Sequence, residues 1–212
     1  MKSKKELLKE SRLHVIIDKD ICGRRSLLEI ADKIKNSGAD IIQLRDKHTP
    51  KTSILKTALA LRKLLSKYRL IFIINDYLDI AKIANCDGVH LGQLDSSAES
   101  ARRILGKNKI IGVTCHNLKQ AIDAQKMGAD YIGIGPVFVT STKPQNRNTI
   151  SVDLLKKIKQ DIKIPFFAVG GINKENIRQL SLNGVKRVAI CSAICKAKNV
   201  AIETKKLSSM LN

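Results

Sequence analysis

Ile71-Phe72-Ile73-Ile74-Asn75-Asp76 is a short apolar run stopped by an amide and a carboxylate. Such a run reads as a strand buried on both faces, the kind found in parallel sheets. Gly88-Val89-His90-Leu91-Gly92-Gln93-Leu94-Asp95 repeats the pattern and again ends on an aspartate. Before both, Ile41-Ile42 runs into Gln43-Leu44-Arg45-Asp46-Lys47, which is dense with charge. Working outward, strands are read at Leu13–Ile17, Ile41–Leu44, Leu70–Ile74, Gly88–Leu91, Ile110–Val113, Tyr131–Ile134, Phe166–Val169 and Arg187–Ile190. Between them apolar residues recur at helical spacing, as at Leu55, Leu59, Leu61 and Leu65. Several of these helices end in glycine just before the next strand, at Gly38-Ala39-Asp40, Gly128-Ala129-Asp130 and Gly184-Val185. Glycine there closes a helix in the left-handed conformation. The recurring Gly-Ala-Asp junction marks a repeated unit of strand and helix.

Strands alternating with helices build a parallel sheet, and eight units at this spacing predict an α/β fold, a (β/α)8 TIM barrel. A chain of 212 residues suits one such domain. Residues 1–12 read as a basic N-terminal extension and 13–212 as a single catalytic barrel domain. The runner-up is a doubly wound open sheet, which would gather its ligand at one switch point. Polar motifs at nearly every strand end favour the barrel, whose closure also removes exposed sheet edges. In a barrel the carboxyl ends of all strands open on one face, so those motifs converge.

Tryptophan is absent and aromatics make up 3% of the chain, so the core must rest on Ile, Leu, Val and Ala. No stretch approaches the roughly 18 apolar residues needed to span a bilayer. The opening Met-Lys-Ser-Lys-Lys-Glu carries no apolar signal segment behind its charge. A cytoplasmic protein without membrane contact is expected. Cys22, Cys86, Cys115, Cys191 and Cys195 are scattered and odd in number, which argues against a disulfide framework or a zinc site. The formal net charge of +20 raises nucleic-acid binding as an alternative. The lysines are spread along the chain, however, and aromatics to stack on bases are few. Attraction of small phosphorylated substrates is the expected use of the charge, and a nucleic-acid partner is not expected.

Strand alternation sends Gln43, Arg45 and Lys47 to one side and Leu44 to the other. Facing inward, Gln43 and Arg45 would offer an amide and a bidentate fork to an anion. Asp76 and Asp95 each read either as a helix N-cap or as a site carboxylate. Brought together at neighbouring strand ends they would repel unless a cation sat between them, and Mg²⁺ suits one or two carboxylates plus phosphate and water. Thr140, Thr142 and Lys143 form a candidate phosphate clamp, and Gly170-Gly171 allows backbone amides to approach an anion. Cys191-Ser192 ends the last strand and opens a helix, a usual phosphate site of such barrels. His90, inside a strand, reads as a hydrogen-bonded barrel residue. His116 reads as a helix cap or a site residue. No Ser-His-Asp order and no nucleotide-binding glycine loop is present.

Together these motifs resemble the thiamine phosphate synthase family over nearly the whole chain from about Leu13. The resemblance rests on Gln43-Leu44-Arg45-Asp46-Lys47, Asn75-Asp76, Gly88 to Asp95, Gly133 to Lys143 and Gly170-Gly171-Ile172 standing in the family's order and spacing. It implies a transferase of thiamine biosynthesis that joins hydroxymethylpyrimidine diphosphate to a thiazole phosphate and releases pyrophosphate. By that resemblance Gln43, Arg45, Lys47, Asn75 and Lys143 would bind the pyrimidine diphosphate, with Leu44 and Asp46 belonging to the same stretch. Arg45 and Lys143 would act on the departing pyrophosphate, and Asp76 and Asp95 would hold Mg²⁺. Thr140, Ser141 and Thr142 would meet the thiazole, and Gly171, Cys191 and Ser192 its phosphate. Thr114 departs from the family's usual serine on the pyrimidine side; it keeps the hydroxyl and adds a methyl. The related thiazole tautomerase has no use for a diphosphate site, which Asp76, Asp95, Arg45 and Lys143 would form. A non-catalytic, basic nucleic-acid-binding protein is the rival of another class, and a homo-oligomer stays open.

If the charge gathers anionic substrates, kcat/KM falls several-fold as inert salt rises from roughly 0.05 to roughly 0.3 M, because the Debye length is about 8 Å at physiological strength. The turnover number kcat changes little, since bound anions are already held. Steady-state kinetics over a salt series check this, and a flat kcat/KM would assign the charge elsewhere.

Overall fold

The computed structural model describes residues 2–140 and 148–211. Eight parallel strands close into a barrel in chain order, β1 (Leu13–Asp18), β2 (Ile41–Arg45), β3 (Ile71–Asn75), β4 (Gly88–Leu91), β5 (Ile110–Cys115), β6 (Tyr131–Ile134), β7 (Phe166–Val169) and β8 (Val188–Ile190). Their bounds lie within two residues of those read from the sequence. The larger differences fall at carboxyl ends: β1, β2, β3 and β5 run on into Asp18, Arg45, Asn75 and Thr114-Cys115. These residues stay in the ladder because partners await them, Asp18 being paired in register with Arg45.

The helices are α1 (Lys4–Glu10), α2 (Lys19–Cys22), α3 (Leu27–Ile34), α4 (Lys51–Leu65), α5 (Leu78–Ile83), α6 (Ala98–Leu105), α7 (Leu118–Lys126), α8 (Val152–Asp161), α9 (Ile177–Leu182), α10 (Ser192–Cys195) and α11 (Val200–Ser209). None is long and apolar enough to cross a membrane. Strand alternation divides the core in two. Outward-facing Val15, Ile42, Leu44, Phe72 and Ile74 pack with helix residues such as Ile30, Ile54 and Leu61. Inward-facing Ile41, Ile71, Ile73, Ile110, Tyr131 and Phe167 fill the barrel. Gly112 faces inward too, and a Cβ there would lie 2.1 Å from the Tyr131 ring, so glycine makes the room that the tyrosine occupies.

Helix α1 seals the amino end. A capping box of Ser3 and Glu6 starts it, and Leu8, 2% exposed, joins the barrel-interior cluster. Its lysines reach the rim of the barrel, Lys4 to Asp87 at 3.2 Å and Lys5 to Asp130 at 2.7 Å. Asp130 comes from the Gly-Ala-Asp junction, and Asp87, in Asn85-Cys86-Asp87, stands at the matching place before its strand. Asp40 accepts from Leu13 N at 2.9 Å, Asp87 from Phe72 N at 2.9 Å and Asp130 from Ile111 N at 2.8 Å. Each aspartate leads into an even-numbered strand and holds an opening amide of the strand before it. Arg62 and Arg102 supply further counter-charge, at 3.1 Å from Asp87 and 2.5 Å from Asp130.

Asp87→Ala strips a buried amide and two cations of their common acceptor. The expected loss is about 3 kcal/mol or more of unfolding free energy. The activity of molecules that remain folded is unchanged, because the site lies at the other end of the barrel. Urea unfolding measures the first and activity per folded protein the second. A loss below about 1 kcal/mol would mean that these groups find other partners.

Candidate active site

A cavity of about 200 Å³ opens among the carboxyl ends of the strands. On one wall stand Gln43, Arg45 and Asn75, whose side chains alternation turns inward. Gln43 Nε2 donates to Asn75 Oδ1 at 2.7 Å, joining β2 to β3. Arg45 donates from Nη1 to the carboxylate of Asp18, which is 1% exposed. The other oxygen of Asp18 accepts from Asp20 N and Ile21 N at the start of α2. One buried carboxylate therefore both caps a helix and aims the guanidinium. Asp18 is absent from the residues singled out in the sequence, although Val15-Ile16-Ile17-Asp18 has the same signal, an apolar run stopped by a carboxylate.

Two neighbours in the same stretch are placed otherwise. Leu44 turns outward into the sheet–helix core, so its side chain is remote from the cavity. Asp46 accepts from Thr49 N at 3.1 Å and shapes the turn before α4. Lys47 reaches across to Asp76, Nζ to Oδ2 at 2.9 Å.

Neither Asp76 nor Asp95 caps a helix. Tyr77 occupies the N-cap of α5 with no side-chain cap, and Ser97 caps α6 by accepting from Ser100 N. The two carboxyls instead stand side by side at the ends of β3 and β4. Burial, only partly offset by Lys47, and the neighbouring Asp95 raise the Asp76 carboxyl above the usual carboxylate range. Asp76 sits at φ 65°, a left-handed conformation that Asp and Asn tolerate better than other side chains. Asp95 is set by its own turn, accepting from Gly92 N at 2.6 Å. Among the described residues no group of three or more His, Cys, Asp or Glu is placed to hold a metal. A lone pair of abutting carboxylates suits a hard cation that keeps much of its water, which is the habit of Mg²⁺.

His90 is a hydrogen-bonded barrel residue. Its Nδ1 is 3.0 Å from Tyr131 Oη and its Nε2 is 2.8 Å from Thr114 Oγ1. Thr114 thus keeps a hydroxyl at the cavity wall. His116 lines the cavity and donates from Nδ1 to Gly135 O at 2.6 Å; the cap of α7 is Asn117, so of the two roles open to His116 the structure favours the site. Across the mouth, Thr140, Gly171, Cys191 and Ser192 line the same cavity. Ser141, Thr142 and Lys143 lie outside the described residues. Gly170 and Gly171 have positive φ, and a Cβ on them would lie 2.6 Å from Pro136 and 2.4 Å from Val139 O. Their bareness lets the loop after β6 lie close against the end of β7, besides exposing backbone to the cavity. Cys22, Cys191 and Cys195 come together as free thiols. Hydrogen bonding to Cys195 and then burial push the Cys191 thiol up.

A family model described as thiamine monophosphate synthase matches residues 13–194. The thiamine-phosphate synthase of Clostridium novyi (strain NT) is 40% identical over 199 residues, covering 94% of this chain and 98% of that protein. That of Shouchella clausii (strain KSM-K16) is 37% identical over 193 residues, covering 91% and 92%. Among solved structures, thiamine phosphate pyrophosphorylase from Pyrococcus furiosus superposes with a TM-score of 0.86 at 34% identity, covering 98% of this chain and 96% of that one.

The state of Asp76 has a consequence for stability. A carboxyl raised above its unfolded value favours the protonated fold, so its ionised form weakens the fold at neutral pH. Asp76→Asn keeps the left-handed backbone and removes that charge. In metal-free buffer the variant should melt at or above the wild-type temperature at pH 7, and the advantage should vanish as pH falls and the wild-type carboxyl takes up its proton. Calorimetry across pH tests this; a lower Tm at pH 7 would show that the Lys47 pair outweighs burial.

Proposed function

The chain belongs to the thiamine monophosphate synthase family and is a transferase that makes thiamine phosphate; on that premise we propose how its barrel mouth divides the work. Gln43, Arg45, Lys47 and Asn75 bind the hydroxymethylpyrimidine diphosphate, with Asp46 shaping their loop. Thr140 meets the thiazole, and Gly171, Cys191 and Ser192 take its phosphate. The observation that carries this reading is the pair of neighbouring carboxylates, Asp76 and Asp95, neither of which caps a helix, with Lys47 paired to Asp76, beyond the end of the strand whose Asn75 lines the cavity together with Arg45. Ser141, Thr142 and Lys143 enter the proposal from the sequence alone. Small phosphorylated precursors fit a cytoplasmic enzyme.

The bond between the pyrimidine methylene carbon and the diphosphate oxygen breaks first, and its electron pair leaves with pyrophosphate. The thiazole nitrogen then donates its pair to the carbon left electron-poor. Charge grows on the departing oxygens, so donors already aimed there act on the transition state more than on the ground state. Arg45 is such a donor, held in place by Asp18. Asp76 and Asp95 would hold Mg²⁺, which when bound adds positive charge opposite the leaving group. Lys47, paired to Asp76, is near enough to share that duty. No protein nucleophile is required.

The test is pyrophosphate release with both substrates and Mg²⁺. Asp95→Asn, at an exposed turn, should fold normally and lose roughly a hundredfold in kcat, about 3 kcal/mol. Arg45→Ala should act on the pyrimidine diphosphate. Ser192→Ala should raise KM for the thiazole phosphate alone, by about 1 kcal/mol for one neutral hydrogen bond. Full activity of Asp95→Asn at saturating Mg²⁺ would remove the metal assignment, and no release by the wild type would overturn the reading.

A further inference from the structure

Deep in the cavity two polar side chains hold atoms without hydrogen-bond partners. His14, in the middle of β1, is 1% exposed, and neither of its ring nitrogens has a hydrogen-bond partner. Gln43, also 1% exposed, gives its Nε2 to Asn75 and leaves Oε1 orphaned. The Gln43 carboxamide stands next to His14 without completing a hydrogen bond to it. Both residues line the cavity, and the polar groups around them are satisfied: His90 is bonded on both nitrogens.

Packing does not require a polar ring here. His14 stands edge-on to Phe167 at 5.6 Å, to Tyr131 at 5.9 Å and to His90 at 6.4 Å between centroids. Phenylalanine would make the same contacts without burying two unpaired nitrogens, and buried polar groups without partners are rare in folded proteins. The ring is also fixed in direction by those three neighbours, so its nitrogens are preorganised. Burial pushes the imidazole down to about 3, which keeps it neutral at working pH. It therefore presents one donor and one acceptor. Gln43 Oε1 adds a second acceptor.

We infer that His14 determines specificity for the pyrimidine half-substrate, its imidazole hydrogen-bonding the ring nitrogen of an amino-substituted heteroaromatic ring while the exocyclic amine donates to Gln43 Oε1. The inference rests on the reading of the site given above and adds a residue to it. An oxo-substituted ring reverses both polarities at that edge. Its carbonyl would face the Gln43 carbonyl, while its ring N–H could be met only by the other imidazole tautomer. Discrimination then comes from polar groups left opposed as well as from bonds made.

The experiment compares wild type, His14→Phe and His14→Gln as full-length proteins. His14→Phe should raise KM for hydroxymethylpyrimidine diphosphate about tenfold or more, the scale of one lost hydrogen bond in a dry site. KM for the thiazole phosphate should stay within about twofold of wild type. The same variant should melt no lower than wild type in the absence of substrate, since it removes unpaired polar atoms. His14→Gln, which again offers a donor and an acceptor, should recover part of the affinity. Unchanged pyrimidine KM in His14→Phe, with an active wild type, overturns the role of His14 and leaves the site reading intact. A lower Tm with both KM values raised overturns it too, as a structural role. A wild type that couples neither substrate overturns the site reading itself.

Discussion

Three carboxylates at the amino end of the barrel hold strands in pairs, and much of the molecule follows from that grip. Asp40, Asp87 and Asp130 each lead into one strand and accept an opening amide of its predecessor. Register between parallel strands is strict where both faces are buried, since a one-residue slip turns every side chain to the other face. With the starts held, alternation delivers Asp18, Arg45, Asn75 and Thr114 to the inside at the far end. It likewise sends Leu44 and Ile74 to the helices. The lock at one end and the chemistry at the other are thus two consequences of one register.

The site end is less comfortable than the locked end. Asp87 meets two cations and an amide, whereas Asp76 shares one lysine and abuts a second carboxylate. His14 and Gln43 hold polar atoms without partners a few residues below. Such unsatisfied groups weaken the empty fold and become favourable only once something complementary is bound. The barrel wall and the ion pairs beneath it supply the stability that tolerates them.

Much of this was legible in the chain. Eight apolar runs alternating with amphipathic stretches specify the barrel, because period and order are local properties. Asp76 and Asp95 were visible as carboxylates ending strands, yet the choice between cap and site needed the real caps, Tyr77 and Ser97. Asp18 escaped notice because β1 was read as ending at Ile17, and its partner Arg45 lies 27 residues on. His14 escaped for a different reason. A histidine inside an apolar strand looks like any satisfied core residue, and the lack of a partner is a property of the assembled barrel alone. The Gly-Ala-Asp repeat was seen as a helix ending, whereas its aspartate also acts across to the preceding strand. Residues 1–12 read as a charged extension because pairing of Lys4 and Lys5 involves residues far along the chain.

That last distance bears on how the chain folds. Helix α1 is held by residues far along the chain. Lys5 can pair only after Asp130 exists, and Arg187 reaches back to Lys9 O across 178 residues. Contacts so remote in sequence close large loops and slow the search for the native state. Until they form, Ile41, Ile71 and Ile110 at the barrel floor lack the leucine that covers them. A ribosome-bound fragment ending before β6 would therefore carry a half-barrel with an open apolar end, the kind of intermediate that aggregates or engages a chaperone.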